Sequence, residues 1–180
     1  MPKLKEEIQQ SRPFSSQAEE ALLNLLRTAD CLQRSMQRAI RAHGLTSTQY
    51  NVLRILRGAG PQGLTCSAIS ERMIAADPDI TRLLARLKHM GFIRQQRDKH
   101  DRRILWTTLA PAGLHVLAEI DPLVERLPGE YLGHLSPAEI GEFIRLLELA
   151  RKYCGEASAP MSCDGQKGKL SCQPAAADRT

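Results

Sequence analysis

From Ala18 the apolar residues recur at Leu22, Leu25, Ala29, Leu32, Met36 and Ala39 in alternating steps of four and three. That spacing lays one apolar stripe along a helix reaching about Ala42, and such a stripe buries against another helix. Later helices are marked at their starts. In Leu45-Thr46-Ser47-Thr48-Gln49-Tyr50, Thr46 caps the helix, Gln49 reaches back to close a capping box, and Leu45 staples onto Tyr50. Leu135-Ser136-Pro137-Ala138-Glu139-Ile140 repeats the device, with Pro137 at the first helical position. Leu64-Thr65 with Ile69 has the cap and the staple but no acid at the third position.

The helix from Thr46 ends in the breaker cluster Gly58-Ala59-Gly60-Pro61-Gln62-Gly63, and a short helix from Cys66 to about Ile74 follows. Asp77-Pro78 then predicts a helix with an acid cap and proline at its first position, running from Pro78 to Met90 and stopping at Gly91. Its apolar face is Ile80, Leu83, Leu84 and Leu87. Two extended segments, Phe92 to Arg97 and Ile104 to Leu109, flank the polar turn Asp98-Lys99-His100-Asp101-Arg102-Arg103, and the strand formers Ile104, Trp106, Thr107 and Thr108 predict a hairpin. Helices resume from Pro111 to about Leu127, with a bend expected at Pro122, and from Ser136 to about Tyr153. The fold class is mainly α with a small β-hairpin: six helices, the hairpin forming the wing of a winged helix-turn-helix.

Composition narrows the function. At 180 residues the chain suits one domain, with a flexible arm over 1–16, a folded region over 17–154 and a disordered tail over 155–180 that holds only Met161 and Leu170 as large apolar groups. The net charge is +5, and the stretch from Pro78 to Ala110 accounts for all of it through Arg82, Arg86, Lys88, Arg94, Arg97, Lys99, Arg102 and Arg103 against Asp79, Asp98 and Asp101. No run approaches a membrane span or the core of a signal peptide, so a cytoplasmic protein without a membrane partner is expected. The five cysteines lack CxxC spacing, and the histidines lack an i, i+4 pair, so no metal site is expected. Gly58-x-Gly60-x-x-Gly63 follows a helix and contains Pro61, which argues against a dinucleotide loop. No GxSxG or HExxH occurs, leaving no catalytic residues and no cofactor to expect.

Helix, turn, helix and charged hairpin over residues 65–109 is instead the layout of a winged helix-turn-helix, and a reader of duplex DNA is expected. Burying Ile80, Leu83, Leu84 and Leu87 leaves Thr81, Arg82 and Arg86 on the faces open to solvent, where they can meet base edges in a major groove. Thr65 and Ser67, opening the shorter helix, join them as DNA-contact candidates. The hairpin tip offers Lys99, Arg102 and Arg103 to a minor groove, and Asp101 is expected to organise the wing by pairing with an arginine.

Asp77-Pro78-Asp79-Ile80-Thr81-Arg82-Leu83-Leu84-Ala85-Arg86-Leu87, then Gly91-Phe92-Ile93, Asp101-Arg102-Arg103 and Leu109-Ala110-Pro111-Ala112-Gly113, resembles the MarR family of bacterial regulators. The likeness runs from about Ala18 to Tyr153 and includes Leu45-Thr46 through Leu53. It implies a winged helix-turn-helix over 46–109 and an obligate homodimer joined through terminal helices over 17–43 and 111–154. It also implies a pseudo-palindromic operator on double-stranded DNA and a repressor released by a small phenolic or aromatic effector. Residue by residue, Thr81, Arg82 and Arg86 match the family's recognition helix, and Asp101 and Arg103 its wing acid and minor-groove arginine. The effector pocket is expected between the dimer helices and the winged lobe, lined by Cys31, His43, Gln49 and Tyr50. Ala110-Pro111-Ala112-Gly113 departs from the family's Thr-Glu-Lys-Gly and removes a hydroxyl helix cap, for which Pro111 compensates in part. Alternatives are a thiol-based redox sensor acting through Cys31, and a nonspecific nucleoid or protein-docking winged-helix protein.

Overall fold

The computed structural model describes residues 3–157. The expected tail, with Cys163 and Cys172, falls outside these residues beyond Ala157. The chain divides after His134 into two units. The first holds α1 (Leu4–Glu7), α2 (Gln17–Arg41), α3 (Ser47–Ala59), a 3-10 turn (Gly60–Gln62), α4 (Cys66–Arg72), α5 (Ile80–His89), the strands β1 (Ile93–Arg97) and β2 (Leu105–Leu109), and α6 (Pro111–Leu132). The second holds α7 (Pro137–Ala157). The seventh helix, α1, is one turn inside the segment expected to be a flexible arm; its Leu4 is buried.

Local signals placed most helix starts. Thr46 accepts from the Gln49 amide at 3.1 Å while the Gln49 side chain accepts from the Thr46 amide at 2.9 Å, and the stapling Leu45 and Tyr50 are both buried. The same box opens α7 between Ser136 and Glu139. α6 has no side-chain cap at Ala110, as its sequence requires, and begins on Pro111. It continues to Leu132 through both Pro122 and Pro128, past its expected end near Leu127. α5 begins two residues later than expected, because Asp79 and not Asp77 supplies the cap, accepting from the Arg82 amide at 3.1 Å.

The core of the first unit gathers one face from each of its longer elements: Ile40 of α2, Val52, Leu53 and Leu56 of α3, Ile69 of α4, Leu83, Leu84 and Leu87 of α5, Ile93 of β1, and Leu117 and Ile120 of α6. Each fully buried Leu or Ile side chain contributes about 1.5–3 kcal/mol. The hairpin is antiparallel, with Ile93 opposite Leu109 and Gln95 opposite Thr107. Its second strand is tied to the helix-turn-helix by a bridge between Leu64 and Thr107, whose backbones exchange hydrogen bonds of 2.9 and 2.8 Å. Gly63 permits that approach. At φ +70° its backbone disfavours any side chain, and a Cβ there would stand 2.4 Å from the Thr107 carbonyl oxygen. The third glycine of the apparent fingerprint therefore serves a strand contact.

Candidate nucleic-acid interface

α5 buries Leu83, Leu84 and Leu87, and this leaves Thr81, Arg82, Ala85, Arg86, Lys88 and His89 exposed. The turn before it is held from both ends: Asn51 of α3 accepts from the Ile74 amide at 3.0 Å, and Asp77 accepts from the Asp79 amide at 2.8 Å. Thr81 and Arg82 consequently occupy the first turn of a helix whose start is pinned. The recognition helix of a helix-turn-helix protein contacts base edges in the major groove by its N-terminal residues. On α4, Thr65 accepts from the Ala68 amide at 3.3 Å, and its hydroxyl lies 3.1 Å from that of Ser67, so both hydroxyls already have intrachain partners.

The wing tip is organised by a residue that sequence reasoning left out of the candidate site. Asp98 accepts from the amides of His100 at 2.7 Å and Asp101 at 3.0 Å, and its other oxygen accepts from the Trp106 indole at 2.9 Å. The amides of Asp101 and His100, followed by the indole, hold its carboxyl down at about 2. Asp101 makes no arginine ion pair among the described residues, contrary to expectation. It accepts instead from the Arg103 amide at 2.9 Å, a local turn bond that needs no long side chain to be ordered. Arg97 closes the tip by donating to the Arg102 carbonyl at 2.6 Å. Lys99, Arg102 and Arg103 all remain exposed. The signal for Asp98 was an aspartate opening a polar turn, eight positions before a tryptophan on the returning strand.

Behind this surface, a cavity of about 510 Å³ lies between α2, α3 and the segment after α4, with Leu32, Met36, Tyr50, Ile74 and Ala75 among its apolar walls. The Arg54 guanidinium stands 5.9 Å from the Tyr50 ring centroid. The Tyr50 hydroxyl donates to Asp121 of α6 at 2.8 Å, and Arg57 pairs with the same carboxylate. Burial, then the Asp121 acceptor and its charge, push the Tyr50 hydroxyl up to about 12. Burial alone would raise Asp121, but Arg57 and the Tyr50 hydroxyl outweigh it and leave that carboxyl lowered. Of the four residues expected to line an effector pocket, only Tyr50 borders this cavity. Gln49 borders a second one, Cys31 is exposed on α2, and His43 lies 3.2 Å from Glu119, which His115 also contacts at 3.2 Å. Periodicity cannot foresee which long-range neighbours meet. Among the described residues no group of three metal-ligating side chains converges, and no helix is long and apolar enough to cross a membrane.

The model of the MarR family matches residues 45–105, the stretch from the start of α3 through the wing. Transcriptional regulator HosA of Escherichia coli O157:H7 is 30% identical over 103 residues, which span 57% of this chain and 75% of HosA. The crystal structure of a MarR transcription factor from Planctomyces limnophilus is 37% identical, with a TM-score of 0.59 over 76% of this chain and 99% of that one. The chain belongs to the MarR family. As a MarR-family protein it is a DNA-binding transcription regulator and not an enzyme. Another similar structure is that of Bordetella bronchiseptica BpsR, whose DNA binding is regulated by 6-hydroxynicotinic acid. It is 25% identical, with a TM-score of 0.67 over 78% of this chain and 98% of that one.

Proposed function

We propose that this MarR-family regulator is a cytoplasmic repressor that binds a pseudo-palindromic operator as a homodimer and is released by a small aromatic acid. The observation that carries the reading is the pair of exposed cationic surfaces on α5 and the wing tip, each fixed by its own local structure. Thr81, Arg82 and Arg86 read the major groove, and Lys99, Arg102 and Arg103 follow the flanking backbone and minor groove. Dimerisation is supported by the apolar surface left on two helices: Leu22 and Leu26 of α2 are 55% and 57% exposed, and Ile144 and Leu149 of α7 are 50% and 48% exposed. The aromatic acid is supported by the cavity of about 510 Å³, which combines apolar walls with the Arg54 cation and the Tyr50 ring. BpsR, with its aromatic acid, is a related precedent.

The test is selection of duplexes from a random pool by the purified protein. An inverted repeat with half-site centres about one helical turn apart is expected. Failure to enrich any sequence would withdraw the reading, and enrichment of a single unrepeated site would withdraw the homodimer.

A further inference from the structure

A second cavity, of about 360 Å³, lies between the first turn of α3 and the start and outer face of α5, with Thr48, Gln49, Asp77, Asp79, Arg82 and Arg86 in its walls. Arg82 and Arg86 are one helical turn apart, so their side chains share a face. Neither is ion-paired among the described residues, although two carboxylates border the same space. Those carboxylates are engaged with the backbone, Asp77 accepting from the Asp79 amide at 2.8 Å and Asp79 from the Arg82 amide at 3.1 Å.

The α3 wall presents donors of its own. Gln49 is only 8% exposed; its side-chain oxygen accepts from the Thr46 amide, but its side-chain nitrogen has no partner among the described residues. The Ser47 amide is taken by Gln37 at 2.9 Å and the Gln49 amide by Thr46 at 3.1 Å, whereas the amide and hydroxyl of Thr48 have no intrachain acceptor. Among the described residues no buried side-chain nitrogen or oxygen lacks a partner, so this nitrogen keeps contact with solvent and is free to donate to a group that enters the cavity. Two unpaired guanidinium groups, that amide, the Thr48 hydroxyl and the positive end of a 13-residue helix therefore border one space, and each of them can receive an oxyanion.

We infer that this cavity seats one phosphodiester of the DNA backbone, making Thr48 and Gln49 a third row of DNA contacts beside α5 and the wing. The inference rests on the DNA-binding reading above, because Arg82 and Arg86 border the cavity and also belong to the proposed DNA surface. It moves Gln49 from the expected effector pocket to the DNA face. A contact of this kind fixes the register of α5 on the duplex and carries no sequence information of its own.

The test measures affinity for the selected duplex and for a scrambled one across a salt series, using the full-length protein. Gln49→Glu retains the acceptor that closes the α3 capping box and replaces the amide donor with a carboxylate. It is expected to weaken binding to both duplexes about tenfold and to make the slope of log affinity against log salt shallower by about one. Thr48→Val removes only a hydroxyl, so about threefold weaker binding to both duplexes with the slope unchanged is expected, which keeps the test decisive if Gln49→Glu folds poorly. Unchanged affinity in both variants overturns the inference, and so does a loss confined to the selected duplex, which would make these residues base readers. Inorganic phosphate exchanged for chloride at constant ionic strength distinguishes the source of the oxyanion. If it raises the melting temperature of the wild type while Gln49→Glu keeps full duplex affinity, the cavity holds a free anion and the DNA assignment falls. A wild type that binds no duplex would instead sink the DNA-binding reading itself.

Discussion

α5 and the wing tip carry the same cations on different supports. Beneath Arg82 and Arg86 lie the buried Leu83, Leu84 and Leu87, so their direction follows from apolar packing. None of residues 98–105 is buried, and the tip keeps its shape through the hydrogen bonds that Asp98 accepts, the Asp101 turn and the Arg97 bond to the Arg102 carbonyl. Apolar burial does not depend on the protonation of the buried groups, whereas a carboxylate scaffold holds only while it is charged. One protein thus carries exposed cations on a stiff, apolar-backed helix and on a ribbon with an electrostatic skeleton.

The comparison breaks most severely in the core. Leu84→Ala should cost about 2–5 kcal/mol of stability in denaturant unfolding and take α5 with it, leaving the tip's local hydrogen bonds without a body to position them. Gly63→Ala, which puts a methyl against the Thr107 carbonyl at a left-handed backbone, should cost about 1–3 kcal/mol. Its damage should centre on hydrogen-exchange protection at Leu64 and Thr107. Arg103→Ala should leave the melting temperature in place and weaken duplex binding by about 1–3 kcal/mol; unchanged affinity would show that the wing arginine makes no DNA contact.

The finest test titrates the scaffold. The Asp98 carboxyl sits at about 2, below its ordinary value of 3.8, so its contribution is complete above the ordinary value and is lost as pH falls toward 2. Trp106 fluorescence should report that loss in acid, and Asp98→Asn should abolish the transition while loosening the tip at neutral pH. Through the range from pH 5 to 8 the wing is then insensitive to this group, and an acid-sensitive Trp106 signal surviving in Asp98→Asn would show that another carboxylate holds the tip.

What could be read from the chain divides along the same line. The capping boxes at Thr46 and Ser136 are local, each closed between residues three apart, and were legible, as were the α5 apolar face and the cations opposite it. The start of α5 was misplaced because Asp77 and Asp79 are both competent caps, and the choice depends on how Ile74 is tied to Asn51 of another helix. In α6 the buried Val116, Leu117, Ile120 and Val124 lie on both sides of Pro122 and outweigh its local penalty, whereas none of residues 128–132, past the expected end, is buried. The cavities were illegible for a different reason: each joins side chains from elements far apart in sequence. Only Tyr50 of the expected effector set borders the larger one.

The bridge between Leu64 and Thr107 also bears on the order in which the chain acquires its structure. Leu64 is buried, and both its backbone groups find their partners only on β2, late in the sequence of the winged lobe. During synthesis, every helix of the helix-turn-helix is made before those groups can be satisfied, and a buried backbone without partners is costly. The lobe should therefore settle cooperatively once β2 has emerged. A nascent chain halted before Thr107 should leave the helix-turn-helix open to protease, and release of the next few residues should close it in a single step.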